Sequence, residues 1–298
     1  NSRDPLGRGE IVVPVSMQVA AIVVLSLINL ALVMRFWPRV RGSTLVGPWI
    51  WCLVALASVA TAEVVIGLCG QPAWCQPLRY AAAMSTFCPA MAVLGAKRPQ
   101  HRGWMWVVLT LWLVLSTPAL FSSTGDVNPY LSWQILLFAL LVIEWMNWVF
   151  SEHFWAATSV SGAHFMYTAA VVYDFGPNDA KFVLFQALIL HIPLTLSLIG
   201  IRSPLKFGDP LQQVWQRFTR AYGTLWTFRV MSLINQTAAL ENWPVRAMPR
   251  GFTTATSPHA DADLRELSRD ERRKIAQSLR NTLRRFVAHH ELDMLETM

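Results

Sequence analysis

The chain has 298 residues, 54% of them hydrophobic and only 14% charged, with fourteen tryptophans and a net charge of +7. That balance argues against a soluble globular protein or a disordered chain and points to a polytopic membrane protein. Residues 1–201 hold ten Lys/Arg and eight Asp/Glu, while residues 202–298 hold fifteen and ten, so the positive excess lies mostly in the tail. A basic tail behind apolar runs fits contact with anionic lipid. No basic and aromatic stripe suggests nucleic-acid binding.

In chain order, residues 1–10 form an exterior segment without a signal-peptide pattern. Seven apolar stretches follow, at 11–34, 46–68, 80–96, 104–121, 131–150, 154–173 and 182–201. Each is long enough to cross about 30 Å of hydrocarbon as a helix. The expected fold is therefore an all-α integral membrane protein, a seven-helix bundle over residues 11–201. Arg35, Arg39 and Arg41 follow the first span, Lys97, Arg98 and Arg102 the third, and Arg202 and Lys206 the seventh. The positive-inside rule puts these loops in the cytoplasm, the N-terminus outside and the tail cytoplasmic, in a cell (plasma or inner) membrane. The short loop with Glu152 and His153 should share that side, although it carries no Lys/Arg.

Cys69 and Cys75 flank the first outer loop, where an oxidising exterior favours a disulfide. Cys52 and Cys88 lie inside spans and read as small buried hydrophobes. Neither C-x-x-C nor a zinc spacing is present.

Charge inside an apolar span costs several kcal/mol unless it is paired or solvated. Three spans carry a titratable residue at similar depth: Glu144 in the fifth, His164 in the sixth and His191 in the seventh. Short connections make these helices neighbours, so the three side chains are expected to converge. Polar residues recur at helical spacing around them: Asn147 near Glu144, Ser161, Tyr167 and Thr168 near His164, and Thr195 near His191. Glu63, in the second span, is a further candidate. The small residues Ala156, Ala157, Ser159, Ser161, Gly162 and Ala163 suit a sixth span enclosed by other helices. Pro193 and Pro89 remove helical donors and free the carbonyls of Ile189 and Ser85.

Three chemistries can use the trio. His164 and His191 can be axial ligands of a haem b. With Glu144 they can instead hold a transition metal through two imidazoles and one carboxylate. The same three groups can pass protons through a transporter. The structural alternative is that they only lock helices together through hydrogen bonds. His101, His153, His259, His289 and His290 lie in loops or the tail and read as solvated.

The string Ala157-Thr158-Ser159-Val160-Ser161-Gly162-Ala163-His164 resembles a stretch of the seven-helix third subunit of haem-copper oxidases. The likeness covers eight residues. Ser161 stands where that family carries a histidine, its glutamate helix has no counterpart here, and the orientation is reversed. The resemblance implies only a class, a non-catalytic subunit of a redox complex.

After the seventh span, Asp209-Pro210 opens an amphipathic juxtamembrane helix within 202–243, and residues 244–262 read as a linker. A basic amphipathic helix is then expected within 263–298, at about 263–291, its apolar stripe leaving Arg272, Arg273, Arg280 and Arg284 to face lipid, an acidic partner or solvent. The tail has no Gly-rich phosphate loop and no nucleophile constellation, so an enzymatic domain is not expected. Three functions remain, ranked: a subunit of a larger membrane complex with protein partners, with or without haem or metal; a proton-coupled transporter; and a seven-helix sensor.

Overall fold

The computed structural model describes residues 15–69, 74–122, 127, 129–151, 154–173, 180–200, 209–254, 264 and 267–295. The segment 1–10, loop residues 70–73, Glu152, His153, Arg202, Lys206 and His259 lie outside the described residues.

The architecture is mostly helical. Helix α1 (Val15–Met34) is followed by a short turn of helix, α2 (Trp37–Val40), and by α3 (Val46–Cys69). Helices α8 (Leu131–Val149), α9 (Phe154–Tyr173) and α10 (Ala180–Gly200, with Pro193 inside it) complete the long apolar set. Among the described residues, three helical stretches are long and apolar enough to cross a membrane: Ala20–Val40, Val46–Cys69 and Leu131–Val149. In lipid such a run is stable as helix because every interior N–H and C=O is satisfied within the segment.

The stretch 80–96 is not one helix. It is divided into α4 (Cys75–Ser85) and α5 (Cys88–Leu94), with Pro89 in the first turn of α5. Proline cannot donate to the carbonyl of Ser85, and the chain turns at Thr86-Phe87 instead. The Ser85 and Thr86 hydroxyls donate to the carbonyls of Ala82 (2.6 Å) and Ala83 (2.5 Å). Four indole N–H groups also reach this broken segment. Trp112 donates to Ala81 O, Trp104 to Met91 O, Trp226 to Val93 O and Trp133 to the Tyr80 hydroxyl, all at 2.8–3.0 Å. These bonds give several of the fourteen tryptophans a structural role: they hold an interrupted helix in a buried setting. A second interruption separates α6 (His101–Leu115) from α7 (Thr117–Leu120), which has Pro118 in its first turn.

In the packing, α1 lies between α3 and α10, α10 lies against α9, and α9 contacts both α8 and α4. The α4–α5 segment packs on α3 and α6 and forms the centre of the bundle, with Tyr80, Ala83, Met84, Phe87 and Cys88 fully enclosed. The small residues of α9 divide between two faces: Ser161 and Ala163 are buried, whereas Ser159 and Gly162 are exposed. The disulfide expected between Cys69 and Cys75 is not formed. Both thiols are free, with Cys69 exposed at the end of α3 and Cys75 buried at the start of α4.

The tail folds as a second layer with its own apolar core. Asp209 caps α11 (Pro210–Leu240), its carboxylate accepting from Leu211 N at 2.9 Å, and α11 bends at Gly223 (φ 75°, ψ −174°). The stretch expected as a linker contains a hairpin, β1 (Val245–Met248) paired antiparallel with β2 (Gly251–Thr254). Val245 and Ala247 face the core while Arg246 and Met248 are exposed, the alternation of a half-buried strand. The last helix is shorter than expected. Ser268 and Glu271 form a capping box that starts α12 at Arg269, and α12 ends at Leu283 before the short α13 (His289–Leu292). The Ser268 donors hold the exposed Glu271 carboxyl below the usual carboxylate range.

The tail is tied to the bundle through main-chain groups. Phe286 O accepts from Thr44 N at 2.9 Å and from the Tyr222 hydroxyl at 2.7 Å, and Arg285 O accepts from Arg98 N at 2.8 Å. Thr44 also donates to Ala96 O at 2.7 Å, and Arg98 donates to Gly42 O.

Candidate functional site

The structure separates the sequence-predicted trio into a pair and a single residue. Glu144 on α8 and His164 on α9 are in direct contact, with Oε2 and Nδ1 2.7 Å apart. His191 on α10 faces α1 instead. Its Nδ1 accepts from Asn29 Nδ2 at 2.9 Å, its Nε2 lies 3.2 Å from Ser26 Oγ, and Thr195 donates to Asn29 Oδ1 at 2.8 Å. Consecutive helices do neighbour one another, as expected, but a helix with neighbours on two sides divides its polar residues between them.

His164 is buried, and Phe87 lies against its ring at 4.6 Å between centroids. Its Nε2 is 2.6 Å from the Thr86 hydroxyl, at the break between α4 and α5. Because Thr86 already gives its hydrogen to Ala83 O, its oxygen acts as acceptor and Nε2 carries a proton. The contact between Nδ1 and Oε2 then contains one further proton. It belongs to an imidazolium facing a carboxylate, or to a carboxylic acid facing a neutral imidazole. A shift across a 2.7 Å bond interconverts the two. The net charge is the same in both arrangements, which lowers the cost of placing the pair among apolar helices.

The supporting polar residues play varied parts. Asn147, one turn from Glu144, is directed to the tail, where its Oδ1 accepts from Leu225 N at 3.2 Å beside the bend at Gly223. Tyr167, Ser161 and Thr168 are buried on α9, and the Thr168 hydroxyl has no hydrogen-bond partner among the described residues. Glu63 on α3 forms a buried two-bond ion pair with Arg79 on α4, Nε to Oε1 at 2.9 Å and a terminal nitrogen to Oε2 at 3.1 Å. Arg79 stands at the edge of the third apolar stretch, where a long side chain could snorkel to the interface. It is enclosed, and the Glu63 carboxylate is its counter-ion.

No family model, curated protein or solved structure matches the chain.

A functional reading therefore rests on the chemistry of the buried groups. Among the described residues, no three His, Cys, Asp or Glu side chains gather closely enough to hold a metal ion. Each of the two buried imidazoles has both ring nitrogens engaged, His164 by Glu144 and Thr86, His191 by Asn29 and Ser26. Binding haem iron or a metal at either one requires one of those hydrogen bonds to open. Proton exchange between Glu144 and His164 requires no such opening. Thr86, Ser26 and Asn29 were not identified from the sequence. Ser26 and Asn29 are i and i+3 polar residues in an otherwise apolar run, and that spacing was the available signal.

Proposed function

We propose that the chain is a seven-crossing membrane protein in which the Glu144–His164 pair carries a proton through a coupled transport cycle. The crossings in this reading are α1, α3, α4 with α5, α6 with α7, α8, α9 and α10, with the tail in the cytoplasm. One observation carries the proposal: Glu144 Oε2 and His164 Nδ1 lie 2.7 Å apart across two helices, a distance that needs one shared proton, and His164 Nε2 reaches Thr86 at a break in a third. When that proton leaves, a carboxylate oxygen and an imidazole lone pair face each other at 2.7 Å, and two acceptors cannot remain at that distance. Loss of the proton thus drives α8 and α9 apart at this level, and the Thr86 contact transmits the displacement to the point where α4 and α5 can bend. Interrupted helices in transporters are tolerated at such places because they line the pathway.

The test is proton flux into proteoliposomes, followed with an internal pH-sensitive dye under an imposed potassium diffusion potential. Glu144→Gln keeps a neutral hydrogen bond to His164 but cannot release a proton, so flux falls to the level of empty liposomes. Flux equal to the unsubstituted protein refutes the reading.

A subunit of a larger membrane complex is the second reading. The feature that favours it is the exposed face of α12 and its C-cap, where Arg269, Arg273 and Arg284 offer positive charge to an acidic partner. Cross-linking in native membranes that joins this face to a second protein supports it. Cross-links confined to the chain itself count against it.

A further inference from the structure

A cleft where α8 ends against the tail has the chemistry of a phospholipid headgroup site, distinct from the Glu144–His164 pair. Phe150, directly after α8, and Phe228, beyond the bend of α11, line it with 63% and 45% of their surface exposed. Arg220 on α11 and Arg250 in the hairpin turn also line it. Arg250 is exposed and has no partner among the described residues. Gln216 lies on the cleft wall, 2% exposed, with Oε1 buried and without a hydrogen-bond partner among the described residues. The cleft, open on one side, holds about 30 Å³, room for about two waters.

We propose that this cleft takes the headgroup of a lipid whose phosphate bears an N–H or O–H donor, an ethanolamine or a glycerol. The phosphate pairs with Arg250 at the rim, beside Arg220, through charge-assisted hydrogen bonds. The ethanolamine ammonium or glycerol hydroxyl enters the small inner space and donates to Gln216 Oε1, an acceptor that otherwise bears the cost of burial unpaired. Choline, a trimethylated ammonium, has no N–H or O–H to give. The acyl chains follow Phe150 and Phe228 out of the cleft into the bilayer. The lipid source rests on α8 crossing the membrane, because that crossing puts Phe150 at headgroup depth. It does not depend on proton transfer at Glu144.

Native mass spectrometry of the purified full chain, with equimolar phosphatidylethanolamine, phosphatidylglycerol and phosphatidylcholine, provides the test. The first two are retained over phosphatidylcholine by about tenfold, the size of one buried hydrogen bond to a charged group. Arg250→Ala, at an exposed turn position, lowers retention of all three. Gln216→Met, similar in volume, abolishes the preference while leaving retention of phosphatidylcholine unchanged. Equal retention of the three lipids by the unsubstituted protein, or unchanged retention by Arg250→Ala, overturns the site. Soluble glycerophosphoethanolamine competing as well as the lipid overturns the membrane source and makes this a pocket for a free phosphoester. If Gln216→Met does not fold, the lipid preference of the unsubstituted protein and Arg250→Ala still decide the matter.

Discussion

Alanine at Gly223 should loosen the joint between tail and bundle. The backbone there, at φ 75° and ψ −174°, lies in a region nearly exclusive to glycine, where other residues pay about 1–3 kcal/mol. A Cβ would also stand 2.6 Å from Asn147 Nδ2 and 2.6 Å from the Asn147 carbonyl oxygen. The amide can rotate away, but the carbonyl belongs to the backbone of α8 and moves only with that helix. Forced overlap of this kind costs about 1–3 kcal/mol. Together the two effects come to about 2–6 kcal/mol, and the thermal unfolding midpoint in detergent should fall by about 5 °C or more. Gly162→Ala is the control. A Cβ there meets nothing within 4 Å, and alanine suits a helix interior, so its midpoint should equal or exceed the original. A Gly223→Ala protein that unfolds within a degree of the original refutes the argument. Full rescue of Gly223→Ala by Asn147→Ala would show that the side chain alone, and not the backbone carbonyl and dihedral strain, opposed the substitution.

Three other outcomes follow from the buried polar groups. Arg79→Met should destabilise by about 3–5 kcal/mol because it leaves the Glu63 carboxylate enclosed without its partner. The double variant Glu63→Gln with Arg79→Met should be milder, and additive losses in chemical denaturation would contradict a shared origin. Asn29→Ala removes the donor to His191 Nδ1 and the acceptor of Thr195, for about 1–3 kcal/mol. Unchanged denaturation of that variant would show that the network contributes little. A maleimide should label exposed Cys69 before any reduction and leave buried Cys75 unlabelled in the folded protein, as intact-mass measurement will show. Resistance of Cys69 until reductant is added would establish a disulfide after all.

The sequence carried the helical class and most helix positions because long apolar runs without charge have few other stable forms. It also placed Glu144, His164 and His191 on three successive helices. Their partners were less legible. The i+3 spacing of Asn147 from Glu144 puts both on adjoining turns of α8, yet it does not say which neighbour each turn meets, and Asn147 meets the tail. The contact between Asn29 and His191 spans 162 residues and depends on α1 packing beside α10, which no local pattern encodes. The hairpin was readable in principle: Val245 and Ala247 alternate with Arg246 and Met248 ahead of a Pro-Arg-Gly turn. Two four-residue strands are short, however, and the turn residues dominated the reading.

The bonds between Thr44 and Phe286 and between Arg98 and Arg285 also constrain biosynthesis. Thr44 leaves the ribosome 242 residues before its partner, an interval of about 12–50 s at common elongation rates. During that time the two bundle loops have no tail to meet. The last residues of α12 and the turn after it therefore complete the fold only once Phe286 has been made. A chain cut short before Phe286 would keep its apolar helices and lose that closure, which gives a cell's proteases a physical basis for telling copies that lack it from copies that carry it.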